Sequence, residues 1–321
     1  MTNRKQTLRS EEPMSQDSPA VMRPTPISRR SVLSWTAAAA AASLAGCGGS
    51  SPRSATATPA RRRFENKVVL ITGATSGIGR CAAEQFAAEG AKVSFCGRRV
   101  NLGHEVEAGI RARGGEATYI HADVRDESQV IAFVEQTVQK YGRLDVAFNN
   151  AGITLEKPLH EYSSAEWDNV VSTNLRGVFL AMKYEIPHML ANGGGNIVVT
   201  SSSNAIATTA KRSAYTASKR GLVGLVQSAA LDYVDKGIRV NALIPGTTDT
   251  DLVRRVAHME DVPDAVWEAA AHVWAESHVP MKRMATAQEI AAFALALASD
   301  DFPYMTGAQM VIDGGKTARA E

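Results

Sequence analysis

Lys67-Val-Val-Leu-Ile-Thr72, Gly73-Ala-Thr-Ser76-Gly77-Ile78-Gly79 and Arg80-Cys-Ala-Ala-Glu-Gln-Phe-Ala-Ala-Glu89, read as one continuous stretch, decide the fold. The first piece is a short apolar run of strand type. The third has helical spacing and is closed by Gly90. Between them the glycines remove side chains from the turn. Strand, glycine loop and helix in this order form the first turn of a dinucleotide-binding fold. A diphosphate there approaches bare backbone at a helix N-terminus, where unpaired N–H groups and the helix dipole favour an anion.

Outward from this turn, strand-type runs follow at Lys92–Gly97, Ala117–His121, Leu144–Asn149, Asn196–Ser201, Ile238–Ile244 and Gln309–Ile312. Helical spacing marks Arg99–Arg113, Glu127–Tyr141, Ala165–Ala191, Ser213–Lys236 and Ala287–Ala298. Alternation of this kind predicts an α/β fold, a Rossmann-type parallel sheet of about seven strands with helices on both faces. A single domain over residues 64–321 accommodates it, with no internal repeat. Asp249–Arg283 shows helical patches and no clear strand.

Two further signals lie downstream in fixed order: Asn149-Asn150-Ala151-Gly152 and Tyr215-Thr-Ala-Ser-Lys219. A phenol and an ammonium four residues apart share one face of a helix, so the cation can bring the phenol's proton equilibrium toward neutral pH. Alone, that spacing equally describes a half-exposed helix face. With all three motifs in this order, the chain resembles the short-chain dehydrogenase/reductase family from about Lys67 to about Gly315. Its Gly-x-x-x-Gly-x-Gly spacing is that family's variant rather than the commoner G-x-G-x-x-G.

The resemblance implies an oxidoreductase that moves a hydride between NADP(H) and a small-molecule alcohol or carbonyl substrate, with Tyr215 as acid/base. Lys219 would also hydrogen-bond the nicotinamide ribose. Ser202, thirteen residues before the tyrosine, matches the serine that holds the substrate oxygen; its neighbours Thr200, Ser201 and Ser203 leave a shift of one residue open. Asn174 matches an asparagine that holds a water in a proton relay from the lysine. Gly73, Ser76, Gly77, Ile78 and Gly79 would meet the diphosphate, and Asn149, Ala151 and Gly152 the adenosine part. Asp123-Val124 resembles a pair that meets adenine, although the aspartate would serve equally as a helix N-cap. Pro245-Gly246-Thr247-Thr248-Asp249-Thr250 resembles a P-G-x-x-x-T segment beside the nicotinamide amide, with Pro245, Gly246, Thr248 and Thr250 as its contacts; an ordinary strand-to-helix turn is the alternative.

At the end of the second strand the chain has Gly97-Arg98-Arg99 and no carboxylate to bind a ribose 2′-hydroxyl. A guanidinium matches phosphate oxygens in a fork, which favours NADP(H) over NAD(H) through Arg98. Ser76 stands where many NADP users carry a basic residue, so NAD(H) stays open. Ser203–Arg212 and Asp249–Arg283 should line the substrate pocket. Their Trp267, Trp274, His258, His272 and His278 receive no role, and alcohol, steroid, sugar and acyl substrates all remain possible. A nicotinamide-binding sensor or structural subunit without turnover is the alternative from another class. The resemblance also implies a homotetramer or homodimer, built on the helices at Ala165–Ala191 and Ser213–Lys236.

Composition is ordinary for a globular protein, at 45% hydrophobic, 21% charged and a formal net charge of +2. Its distribution is not. Residues 1–63 carry ten Lys/Arg against three Asp/Glu, leaving 25 against 30 in the rest, so a mildly acidic domain follows a basic leader. That balance gives no reason to expect nucleic-acid binding. The leader contains Ser28-Arg29-Arg30-Ser31-Val32-Leu33, an apolar stretch at Trp35–Ala45 and Leu44-Ala45-Gly46-Cys47. In this order they resemble a bacterial lipoprotein signal of the twin-arginine export type over residues 1–47, cleaved so that Cys47 carries lipid. The expectation is an exported, envelope-anchored protein facing the periplasm, tethered by a flexible linker at 48–63; a disordered basic tail on a cytoplasmic enzyme is the alternative. Of three cysteines, Cys81 and Cys96 fall inside the fold as small hydrophobes, and no Cys/His cluster has metal-ligand spacing, so no metal is expected.

Overall fold

Residues 62–318 are described in the computed structural model of the protein, and the twin-arginine segment with Cys47 lies outside them. In chain order the elements begin with β1 (Val68–Thr72), α1 (Gly77–Ala88), β2 (Lys92–Gly97), α2 (Val100–Ala112), β3 (Glu116–His121), α3 (Glu127–Tyr141) and β4 (Val146–Asn149). They continue with α4 (Ser164–Val171), α5 (Gly177–Ala191), β5 (Gly195–Thr200), α6 (Ser213–Tyr233) and β6 (Ile238–Pro245). The chain closes with α7 (Asp251–Val256), α8 (Asp264–His278), α9 (Ala287–Ala298) and β7 (Gln309–Ile312).

Every strand pairing is parallel, in the order β3-β2-β1-β4-β5-β6-β7. A parallel sheet is covered on both faces, which is why its central strands read as unbroken apolar runs; all five residues of β1 are buried. One face packs Phe86 of α1, Val106 and Ile110 of α2, and Ile290, Ala294 and Leu297 of α9. The other packs Phe133 of α3, Val178 and Met189 of α5, and Leu222 and Val226 of α6. Each large side chain buried here contributes about 1.5–3 kcal/mol. The strand order reverses between β1 and β4, and crevices at such switch points are where open α/β sheets hold ligands.

The helix expected over Ala165–Ala191 is two helices. A wide turn at Ser172–Arg176, in which Gly177 N–H bonds Ser172 C=O, separates α4 from α5. Such π turns insert one residue into the helical ladder. The helix expected from Ser213 to Lys236 ends at Tyr233, and a 3₁₀ turn closed by Gly237 at φ 76° follows. Strand β4 begins at Val146 rather than Leu144, because Asp145 bonds Val68 through both its main-chain N–H and its carboxylate (2.8 Å). The segment at 249–283 supplies α7 and α8.

Candidate active site

Three turns meet at the switch point, and they pack too closely for side chains. A Cβ on Gly73, whose φ is +71°, would lie 2.7 Å from Ala151 Cα. On Gly79 it would meet Gly73 O at 2.4 Å and Asn150 Nδ2 at 2.6 Å, and on Gly77 it would touch Thr250 Cγ2 at 3.3 Å. The glycine loop, the turn after β4 and the turn after β6 thus share one floor of exposed backbone. Helix α1 starts on this floor at Gly77, and its N-cap Ser76 makes no capping bond with its own side chain. The first N–H groups of α1 are left for an anion. Ile78 packs against the core beneath. The bare cradle and the helix N-terminus fit a dinucleotide's diphosphate.

Asn150, which sequence reasoning passed over, stitches this floor together. Its main-chain N–H and that of Ala151 donate to Thr72 Oγ1 (3.0 and 3.1 Å), and its amide donates to Thr72 O and Gly73 O (3.3 and 3.2 Å). Asn149, one residue earlier, points the opposite way because successive strand side chains alternate faces. Its amide bonds Glu185 inside the α3/α5 layer, leaving only its main chain toward the floor.

Tyr215 and Lys219 sit in the first turns of α6, with Lys219 Nζ 5.7 Å from the Tyr215 ring centroid. Lys219 is 3% exposed and donates to Thr200 O at 2.8 Å. Burial brings its ammonium down to about 8. Burial holds the Tyr215 phenol above its ordinary value, and the nearby Ser202 hydroxyl and the charge of Arg212 oppose this only in part. Arg212, three residues before the tyrosine, is thus a cation acting on the phenol that sequence reasoning did not identify. Ser202 follows the end of β5 and caps a short turn by accepting from Asn204 N–H at 3.2 Å.

Asn174 lies in the π turn and is fully buried. Its Oδ1 accepts from Ile153 N–H (2.8 Å), and its Nδ2 donates to Ile153 O (2.9 Å) and Ser218 Oγ (3.1 Å). Gly152 lies between the two groups: a Cβ there would be 3.4 Å from both Asn174 Oδ1 and Lys219 Nζ.

At the other end of the floor, Arg99 rather than Arg98 lies over the glycine loop. It donates to Thr75 Oγ1 through Nε and Nη2 (3.2 and 3.1 Å) and to Ser76 Oγ. Arg98 is half-exposed and 3.9 Å from Asp123. Asp123 is chelated by Arg125, whose guanidinium holds its carboxyl below the usual range. Its neighbour Val124 lies under Gly177, where a Cβ would meet Val124 Cγ2 at 2.9 Å.

In the turn after β6, Gly246 is pressed against Asp313 and donates to Ile312 O (2.9 Å), while Thr248 bonds Gly246 O at 3.2 Å. Thr250 accordingly N-caps α7 directly above Gly77. Trp267 is packing: it is buried and donates to Asp249 at 2.7 Å under the Arg254 guanidinium. Trp274 stacks on His278 at 4.5 Å, and Lys316 reaches the same ring and Thr247 Oγ1 (3.5 Å) from the far end of the chain. Among the described residues, no group of three or more His, Cys, Asp or Glu could hold a metal ion.

Residues 73–317 match a family model described as Enoyl-(Acyl carrier protein) reductase. The chain is 41% identical over 254 residues to an uncharacterized oxidoreductase, YxbG, of Bacillus subtilis (strain 168), covering 79% of this chain and 92% of that one. It is 40% identical to levodione reductase of Leifsonia aquatica over 82% of this chain and 98% of the relative. The crystal structure of a levodione reductase superposes with a TM-score of 0.75 at 39% identity, over 80% of this chain and all of that one. The chain belongs to the short-chain dehydrogenase/reductase family, oxidoreductases that use a nicotinamide cofactor on CH–OH and carbonyl groups.

Proposed function

We propose that the protein interconverts an alcohol and a carbonyl with NADP(H), and that Tyr215 is its acid/base. The observation that carries this reading is the Tyr215 phenol in the first turn of α6 with the buried Lys219 ammonium 5.7 Å from its ring, beside the Ser202 hydroxyl at the end of β5. A phenol and an aliphatic hydroxyl side by side suit a substrate oxygen, on which charge develops as a carbonyl is reduced. The family model's description names an enoyl reductase, a reaction that would also develop charge on a carbonyl oxygen, as an enolate. Levodione reductase, by its name, acts on a dione.

When bound, the dinucleotide supplies or accepts the hydride. Gly73, Ser76, Gly77, Ile78 and Gly79 would hold its diphosphate and Lys219 its nicotinamide ribose, with Pro245, Gly246, Thr248 and Thr250 beside the nicotinamide. Arg99, with Arg98 alongside, would meet a 2′-phosphate. Asp123, Val124, Ala151, Gly152 and the main chain of Asn149 would border the adenosine. Tyr215 gives its proton to the substrate oxygen in reduction and takes it back in oxidation, while Ser202 holds that oxygen. Lys219, still largely protonated at pH 7, and Arg212 favour the phenolate.

Tyr215→Phe removes only the proton-transferring oxygen. A panel of alcohols and ketones assayed with both cofactors, read by nicotinamide absorbance, should show turnover falling by at least ~10²–10⁴ while NADPH still binds. Retention of more than a tenth of wild-type kcat defeats the assignment; loss of NADPH binding defeats the claim that Tyr215 acts in the chemistry alone.

A further inference from the structure

Glu185 is a carboxyl group with no counter-ion among the described residues, sealed inside the sheet's helical layer. It lies on α5 at 0% exposure, and Asn149, on the neighbouring strand end, is 1% exposed. Asn149 Nδ2 donates to Glu185 Oε2 at 2.8 Å. The other oxygen of each group, Glu185 Oε1 and Asn149 Oδ1, is buried without a partner. Two unpaired acceptors on two groups already in contact lack the same thing, a donor. Rotating the Asn149 amide by half a turn does not help, because it sets oxygen against oxygen and leaves the pair one donor short.

We infer that Glu185 is a neutral carboxylic acid that closes a two-bond acid–amide ring with Asn149, and that this ring is a positioning device for the cofactor floor. The proton on Glu185 donates to Asn149 Oδ1, and Asn149 Nδ2 donates back to the carboxyl. One proton satisfies both orphaned atoms. An ionised Glu185 would instead be a buried charge with a single hydrogen bond, an arrangement proteins avoid by keeping the proton. Burial pushes its carboxyl up to about 8, with the Asn149 bond as the only opposing influence.

The surroundings offer nothing to change this. From β2 the facing titratable group is Cys96, itself neutral with its thiol pushed up to about 12; Asp123 also acts on that thiol. The buried residues of α3 are Val130, Phe133, Val134 and Thr137; β5 and α6 add Ile197, Val199, Leu222 and Val226. On α5 itself, Lys183 and Tyr184 turn outward to Glu127. The ring matters to the site through chain connectivity. Asn149 leads directly into Asn150, Ala151 and Gly152, which brace Gly73 and border Lys219.

This inference rests on the proposed cofactor reading for its effect on the site, but its stability arm does not. Glu185→Gln can make the same two bonds as an amide pair, whereas Glu185→Met leaves Asn149 unanswered. Wild type and both variants are compared by thermal melting without cofactor and by NADPH fluorescence titration, each from pH 6 to 9.5. Glu185 has a folded-state value above its ordinary one, so its stability is fully present below about pH 4.5 and is lost as pH rises through about 8. Glu185→Gln should therefore gain in Tm on wild type from pH 6 to about 8 and level off above it. Its NADPH Kd should stay within about threefold of wild type at pH 7 and escape the alkaline weakening of wild type, while Glu185→Met binds at least tenfold more weakly at both ends. A Glu185→Gln protein whose Tm deficit or advantage is constant across the range overturns the neutral acid. If Glu185→Met binds like wild type, the pair does not position the floor. If no protein binds NADPH, the cofactor reading has failed and the melting comparison still decides the protonation state.

Discussion

Asn174 answers both the N–H and the C=O of Ile153, so one amide holds the chain where it leaves β4 and passes over the site. Asn174→Ala strands buried donors and acceptors, at a cost of about 1–3 kcal/mol. Its Tm should fall by roughly 2–12 °C, since about 2–4 °C per kcal/mol is usual at this size. A variant as stable as wild type would show that Ile153 finds water instead. Lys219 titrates in the opposite sense to a carboxyl. Burial lowers its ammonium from 10.5 to about 8, so between those values the unfolded chain binds a proton that the folded chain has released, and stability rises with pH. Wild type should gain in Tm on Lys219→Met from about pH 8 to 10.5, and a constant difference would mean that the ammonium stays charged. Roles for Tyr215, Lys219 and Ser202 were expected from motif order alone. Glu185 was not visible: in sequence it is one glutamate in a largely apolar helix, and only the strand's alternation turns Asn149 toward it.

Among elements, the loop after β2 is the one proposed to set cofactor preference. Sequence pointed to Arg98, but the chain bends at Arg98 after β2 so that Arg99 reaches Thr75 and Ser76, while Arg98 leans toward Asp123. Arg99→Ala should weaken NADPH binding roughly ten- to a hundredfold, as expected for loss of a charge-assisted contact of ~1.5–3 kcal/mol, and NADH binding far less. Arg98→Ala should have the smaller effect of the two; equal losses for both cofactors in the Arg99 variant would make it purely structural. Which of two adjacent arginines faces a loop depends on backbone angles that composition does not encode. The strands, by contrast, were legible almost to the residue, because burial on both faces leaves an apolar signature that needs no partner to be read. The break between α4 and α5 was hidden. Ser172-Thr-Asn-Leu-Arg176 contains neither glycine nor proline, and its extra residue is accommodated by tertiary bonds from Asn174.

At the scale of the whole molecule, α5 and α6 keep exposed apolar side chains at Phe179 and Leu231, the latter 79% exposed, and Val234 is exposed in the turn after α6. Burying such residues against a second copy is favourable, so light scattering at micromolar concentration should give a dimer or tetramer; a monomer refutes it. The basic leader motivates a second proposal, that the domain is exported already folded and held at the membrane by Cys47. Replacing Arg29 and Arg30 by lysine should then shift the protein from the membrane fraction to the cytoplasm, and an unchanged distribution would favour the alternative of a cytoplasmic enzyme. A cofactor carried along would have to stay bound, so envelope-purified protein should retain NADP(H) through dialysis and turn over paired alcohol and carbonyl substrates without additions. The parallel sheet also orders events in time. Strand β7 lies near the chain's end, yet it pairs with Ala242–Pro245 and its Ile312 accepts from Gly246. A nascent chain therefore completes its glycine loop long before the turn that lies over it. Non-local pairing of this kind is slow, and recovery of NADPH binding during refolding should track the docking of this last strand rather than the first burst of helix formation.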